Sequence, residues 1–106
     1  MKKSYRHGDV DIIAVIKPAK LKREVFEGEY VLAYGEVTGH SHRLIGTKDS
    51  VNMYRDETGA LILNVLGKAV LTHEEHKEIE IAPGWYRVNY EREYNYWGNS
   101  TQRVQD

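Results

Sequence analysis

Four of the five histidines of this chain stand in two short motifs. The first motif is GHSHR over residues 39–43, and the second is THEEH over residues 72–76. Histidine has an ordinary pKa of about 6.5, so it changes charge near neutral pH, and neutral imidazole is also a common metal ligand. The two motifs therefore predict a chemical site built from His40, His42, His73 and His76.

Acid–base catalysis is the first chemistry that these histidines could perform. A neutral imidazole takes a proton while a second, protonated imidazole gives one, and such a pair cleaves RNA when the 2′-hydroxyl attacks its own phosphate. A cation stabilises the developing charge on the phosphate oxygens, and Glu74 or Glu75 could orient an imidazole and raise its pKa. The predicted catalytic residues are His40, His42, Arg43, His73, His76, Arg92 and Tyr94.

Arginine beside these histidines favours a phosphate ligand over a metal ion. Arg43 follows His42 directly, and an arginine next to a bound cation would repel it. On an ideal strand Arg43 points away from His42, so both can serve one site only if a bulge or a strand end lies near Gly39. The primary interpretation is a His-centred phosphodiesterase, an RNA-cleaving nuclease that requires no cofactor.

Metal binding is the alternative chemistry for the same motifs. Residues two apart on a strand point to one face, so His40 and His42 would offer a platform for a divalent ion, and His73 or His76 would add a third imidazole. Three histidines leave one coordination position open for water. The alternative metal set is His40, His42 and His76. Without sulfur ligands, Zn, Mn, Fe, Ni or Cu would suit it.

Short alternating segments predict a fold made of strands almost throughout. Eight strands are expected, in a small antiparallel β-sandwich or barrel. Residues 17–26, which include the basic positions Lys17, Lys20, Lys22 and Arg23, are expected to form a loop. The eight predicted strands span residues 10–16, 30–37, 40–45, 51–54, 61–66, 68–72, 77–81 and 85–94, with a hairpin turn over 56–59.

Further predictions concern the two ends of the chain. Residues 6–9 are expected to form a turn before the first strand, with His7 or Asp9 at most at the rim of the site. In the last strand, the face carrying Tyr86, Val88 and Tyr90 is predicted to be core. Residues 1–94 are expected to form one β domain, and residues 95–106 a polar C-terminal arm.

Composition limits the class of protein. The 106 residues are 41% hydrophobic and 29% charged, with a net charge of −1 and no cysteine, which argues against disulfides, thiolate sites and a strongly basic nucleic-acid module. No apolar run approaches the roughly 20 residues of a membrane helix. A cytoplasmic protein is expected, with RNA as a partner and with homo-oligomers allowed. A non-catalytic, oligomeric interaction domain is the remaining alternative.

Two resemblances accompany these patterns. The HxH pair, followed by residues 79–86 with their Pro-Gly turn, resembles part of the cupin pattern, in which histidines and a glutamate bind a metal inside a small β-barrel. The departures are that no Glu closely follows His42 and that the later His precedes the Pro-Gly turn. The whole series GHSHR, LTHEEH, IAPGWYRV and EREY resembles a family of small uncharacterised proteins in bacterial and mobile-element genomes. That second resemblance implies a single conserved unit and brings no activity with it.

Overall fold

Alternating apolar and polar residues give the described part of this chain ten short strands. The computed structural model describes residues 4–34, 41–74 and 76–90, except for the side chain of His76. The strands are β1 (Tyr5–His7), β2 (Val10–Ala14), β3 (Lys22–Glu24), β4 (Glu29–Tyr34), β5 (Ser41–Gly46), β6 (Val51–Arg55), β7 (Leu61–Val65), β8 (Ala69–His73), β9 (His76–Ile81) and β10 (Gly84–Tyr90).

The strands form two sheets, and neighbouring strands within each sheet are antiparallel. One sheet has six strands in the order β1-β2-β10-β7-β6-β3, and the other has four in the order β4-β5-β8-β9. The prediction of an all-β antiparallel fold is confirmed. Eight strands match the predicted segments. The additional two are β1, and β3 within the segment expected to be a loop.

The core lies between the two sheets and takes side chains from both. Ile12, Met53 and Leu63 of the six-stranded sheet and Leu44 and Leu71 of the four-stranded sheet are fully buried in one cluster. Each such side chain contributes about 1.5–3 kcal/mol on removal from water. Two sheets that share one apolar layer form a small β-sandwich.

Two hairpins depend on glycine with a positive φ. In the β6–β7 hairpin, Gly59 has φ +88° and the Asp56 carboxylate accepts backbone hydrogen bonds from Thr58 and Ala60, which confirms the predicted turn. The Thr58 hydroxyl also donates to this carboxylate, and it is the main cause of the lowered pKa of Asp56. In the β1–β2 hairpin, Gly8 has φ +63° and begins a two-residue loop, as tight hairpin turns require.

The prediction of a core face in the last strand is confirmed for Tyr86 and Val88 but is wrong for Tyr90. Tyr86 and Val88 are each 3% exposed, whereas Tyr90 is 44% exposed. Even so, the Tyr90 hydroxyl donates a hydrogen bond to the Leu32 carbonyl of the other sheet at 2.7 Å. The predicted C-terminal arm lies outside the described residues. Within the described part of the chain, no helix has the length and apolar character to cross a membrane.

Tyr86→Phe is expected to make the protein less sensitive to alkali. Burial, together with the neighbouring Tyr5, raises the pKa of Tyr86 from 10.0 to about 12. Because the raised pKa favours the neutral phenol in the folded state, its stabilisation is complete below pH 10 and is lost as pH rises through about 12. Urea unfolding between these pH values should show a shallower decline in the free energy of unfolding for the variant than for the wild type.

Near neutral pH the free energy of unfolding of Tyr86→Phe should be lower than that of the wild type by about 1 kcal/mol. The reason is that the Tyr86 hydroxyl donates a 2.6 Å hydrogen bond to the Ala82 carbonyl. Tyr34→Phe is the matched control, since Tyr34 is 82% exposed. If the free energy of unfolding fell equally steeply with alkaline pH in the wild type and in Tyr86→Phe, the raised pKa of Tyr86 would be contradicted.

Candidate functional site

Three histidines from distant parts of the chain meet at one end of the sandwich. His7 ends β1, His42 lies in β5 and His73 ends β8. The ring centroids of His42 and His73 are 4.3 Å apart, and those of His7 and His42 are 5.2 Å apart. His7 is 2% exposed and His42 is 6% exposed, whereas His73 is half-buried. The structure thus brings one histidine from each predicted motif into contact and adds His7.

His7 joins the two sheets by hydrogen bonds from both ring nitrogens. Its Nε2 is 3.1 Å from the backbone carbonyl of Lys77 in β9, and its Nδ1 is 3.1 Å from Nδ1 of His42. A carbonyl only accepts, so Nε2 of His7 carries a proton. When His7 is neutral, its Nδ1 therefore accepts and Nδ1 of His42 donates. This chain of bonds places the lone pair of a neutral His42 on Nε2.

The His7–His42 pair can hold one extra proton without losing its hydrogen bond. If Nε2 of His42 takes up a proton, Nδ1 of His42 still donates to Nδ1 of His7. A second proton would make both Nδ1 atoms donors, and the bond between them would break. A neutral His7 thus fixes the tautomer of His42, with the proton on Nδ1 and the lone pair on Nε2.

Arg43 reaches the surface beside His73 although it points away from His42. A groove of about 230 Å³ is lined by Ser41, Arg43, Thr72, His73 and Glu74. Nε of Arg43 donates to Oγ of Ser41 at 2.8 Å, and Nη1 donates to Glu29 at 3.2 Å, which uses two of the five guanidinium N–H groups. Arg43 shares this groove with His73 because His73 lies at the end of its strand, beside a register shift after Leu71.

Glu74 links the two predicted motifs. Its carboxylate accepts a hydrogen bond from the backbone N–H of Ser41 at 3.0 Å. The second motif is thereby fastened to the start of β5, next to His42. Glu74 thus holds the motifs together through the backbone, a role that its place in the motif did not predict.

The other predicted site residues are described less fully. The backbone of His76 begins β9 and pairs with His73. His40, Glu75, Arg92 and Tyr94 lie outside the described residues. Within the described ranges, no group of three or more histidine, aspartate or glutamate side chains is arranged to hold a metal ion.

His7 is absent from the predicted catalytic and metal sets, although a local signal was available. Gly8 and Asp9 form a two-residue loop between Tyr5–His7 and β2, and a glycine in such a loop indicates a hairpin. In that hairpin His7 pairs with the fully buried Val10. Recognition of the hairpin would have placed His7 inside the fold instead of at its rim.

A double-mutant cycle with His7→Phe and His42→Phe should reveal their hydrogen bond. Phenylalanine preserves a planar ring but supplies no ring nitrogen. We expect a coupling free energy of about 1 kcal/mol. Urea unfolding of the four proteins measures this coupling.

A second cycle supplies the control for that experiment. Lys48 is exposed in the turn after β5, at the opposite end of that strand from His42. His7→Phe and Lys48→Ala should therefore be additive within about 0.5 kcal/mol. Additivity of the His7 and His42 substitutions as well would rule out an energetically significant bond between the two rings.

Comparison with known proteins identifies a family without an assigned function. A family profile described as a domain of unknown function, DUF8820, matches residues 6–91. That range includes all three clustered histidines and Arg43. No curated protein and no solved structure matches the chain significantly. The chain belongs to the DUF8820 family of domains of unknown function.

Proposed function

We propose that this protein is a His-centred phosphodiesterase that cleaves RNA by acid–base chemistry. The supporting observation is that His73 and Arg43 line one surface groove, while the ring of His42 packs against His73 from the interior. A proton-exchanging side chain and a guanidinium in one groove can supply a proton transfer and the charge stabilisation of phosphodiester cleavage.

His73 is the proposed general base because it lines the groove. A neutral imidazole there would take the proton of the ribose 2′-hydroxyl as that oxygen attacks the adjacent phosphorus. The bond from phosphorus to the 5′-oxygen then breaks. The products are a 2′,3′-cyclic phosphate and a 5′-hydroxyl, which the leaving oxygen becomes on receiving a proton.

His42 is the proposed general acid, and because it lies behind His73 its proton would pass to the leaving oxygen through a water molecule in the groove. The His7–His42 pair retains its hydrogen bond with one extra proton, so it can store the proton that the leaving 5′-oxygen needs. The Lys77 carbonyl fixes the His7 tautomer, and this directs proton exchange to Nε2 of His42. In this scheme His7 is a positioning residue, because it acts on the reaction only through His42.

Arg43 would stabilise the charge that grows on the phosphate oxygens. Its bonds to Ser41 and Glu29 fix the guanidinium at the groove before substrate arrives, and a preorganised donor is worth most in the transition state. Lysine could keep the charge at this position, but it lacks the planar fork that binds two phosphate oxygens together.

Cleavage of a labelled RNA in excess EDTA tests the proposal. His73→Ala should lower the rate by about 10²–10⁴-fold, the range for loss of a general acid or base. Arg43→Lys should retain more activity than Arg43→Ala because it keeps the charge. The wild type should show a bell-shaped pH dependence of kcat/KM, and His7→Phe should shift the limb that reports the acid.

Lys48→Ala is the matched control, since Lys48 is exposed in the turn after β5. Folding of each variant is verified by circular dichroism. Equal rates for the wild type, His73→Ala and Lys48→Ala would indicate a contaminating nuclease and would refute the proposal.

A divalent-metal site is the second candidate, and one distance favours it. The two Nδ1 atoms of His7 and His42 are 3.1 Å apart. Two nitrogens bound tetrahedrally to zinc at 2.0–2.1 Å lie about 3.3 Å apart, so a small shift would let both rings bind one ion. The bond from Nε2 of His7 to a backbone carbonyl is also the usual support of a metal-bound histidine.

Cobalt titration separates the two candidates. If His7 and His42 bind metal, one Co²⁺ per chain should give visible d–d absorption, and His7→Phe and His42→Phe should each abolish it. His73→Ala distinguishes the two candidates further, because it should lower the rate of RNA cleavage by about 10²–10⁴-fold in EDTA, where no divalent metal is available. A wild-type spectrum no different from that of His42→Phe would exclude the metal candidate.

The predicted location and assembly accompany this proposal. A reducing, cytoplasmic compartment suits a chain without cysteine. RNA as the partner, homo-oligomers, and relatives in bacterial and mobile-element genomes likewise stay predictions from the sequence.

A further inference from the structure

The outer surface of the six-stranded sheet carries two stacked aromatic rings with cations over them. The rings of Tyr54 and Trp85 have centroids 5.6 Å apart and planes 29° apart. The Arg23 guanidinium is 5.6 Å from the centroid of Tyr54, and the Lys17 ammonium is 5.6 Å from the centroid of Trp85. We call these four residues, with Arg87, the aromatic strip.

Sheet register places Arg87 on the same surface. Residues directly opposite one another on neighbouring strands share a face, and Ile62 of β7 pairs with Tyr54 on one side and with Arg87 on the other. Ile62 is only 1% exposed, so the side chains around it cover this part of the sheet. The aromatic rings are therefore held in place before any ligand arrives.

The aromatic strip unites two sequence features that the proposed catalytic site does not use. Lys17 lies between β2 and β3 and Arg23 lies in β3, and both belong to the basic stretch of residues 17–23. Trp85 and Arg87 come from the outward face of β10. The three cations are exposed. Asp56 acts electrostatically on Arg87, and its single negative charge leaves the three cations in excess. The strip therefore carries net positive charge.

We propose that the aromatic strip binds a single strand of nucleic acid, with a base stacked on Trp85 and with phosphates on Lys17, Arg23 and Arg87. Aromatic rings in a basic groove bind single strands with little regard to sequence, because every base has a stacking face. Asn52 and Asn64, which are paired between β6 and β7, add amide groups that can hydrogen-bond to a base edge. The inference does not depend on the proposed cleavage activity, although it would supply that activity with a single-stranded substrate.

The cations over the rings are compatible with base stacking. Lys17 is exposed and its flexible side chain holds the ammonium over Trp85, an interaction that is weak at exposed sites. When a base stacks on the ring, the ammonium can leave it for the adjacent phosphate. Arg23 is additionally held by a 2.8 Å hydrogen bond from Nη2 to Asn52, so its charge stays close to Tyr54.

Fluorescence anisotropy with a labelled deoxythymidine oligonucleotide of about 12 nucleotides tests the inference. A DNA strand lacks the 2′-hydroxyl, so binding is measured without turnover by the proposed reaction. We expect Trp85→Ala to weaken binding by about tenfold and Trp85→Phe to weaken it less, since stacking survives. Tyr34→Ala is the matched control, because Tyr34 is an exposed aromatic residue of the other sheet and its removal should leave the affinity unchanged.

Salt dependence separates stacking from charge. Each phosphate contact made by a cation contributes about −0.7 to the slope of log affinity against log salt for a single strand. Three contacts predict a slope of about −2, and Lys17→Gln should make it shallower by about 0.7. Trp85→Ala should keep the wild-type slope. Lys17→Gln changes an exposed side chain, so it keeps the inference testable if Trp85→Ala does not fold.

Three results would overturn the inference. They are the absence of binding at low salt, equal binding of the duplex and the single strand, and equal affinity for the wild type and a folded Trp85→Ala variant. The cleavage proposal is judged separately. RNA cleavage that depends on His73 without oligonucleotide binding would refute only the proposed role of the aromatic strip. Oligonucleotide binding without RNA cleavage would refute only the proposed nuclease activity.

Discussion

The hydrogen bonds of His7 determine how the two sheets meet. One ring nitrogen bonds to β9 and the other to a histidine of β5, so a single side chain from the edge of the six-stranded sheet is fixed to two strands of the other sheet. An imidazole buried without partners would destabilise the fold. These bonds therefore constrain the angle and separation of the sheets at this end, and the groove beside His73 takes its shape from that constraint.

This arrangement places polar chemistry within an otherwise apolar layer. The cluster containing Val10, Leu44 and Leu71 excludes water from one side of the histidines, while the groove beyond His73 admits it. Hydrogen bonds are strengthened on the dry side, and solutes can reach the other side. Such a boundary lets a protein hold a defined tautomer and still exchange a proton with a ligand. The same geometry suits an imidazole pair that grips an ion, which is why one small cluster supports two chemical candidates.

Local patterns predicted the strands because period-two alternation and turn residues act over a few positions. The Asp56–Gly59 turn and the buried face of β10 are examples. The contact between His42 and His73 could be proposed from the two motifs, but its geometry depends on pairing between distant strands. The shared groove of Arg43 and His73 depends on His73 lying at the end of its strand beside a register shift, which alternation does not reveal. Likewise, Lys17 and Trp85 are 68 positions apart (85 − 17) and meet only because β2 and β10 are neighbours.

Strand order also has a consequence for folding during synthesis on the ribosome. β2, near the start of the chain, pairs with β10, which ends at Tyr90, and His7 bonds to a carbonyl 70 positions later. The N-terminal hairpin therefore emerges long before its neighbour in the sheet has been synthesised. Closure of so long a loop must precede the contacts that stabilise it. The histidine cluster therefore cannot form on a nascent chain until β9, which carries the Lys77 carbonyl, has emerged.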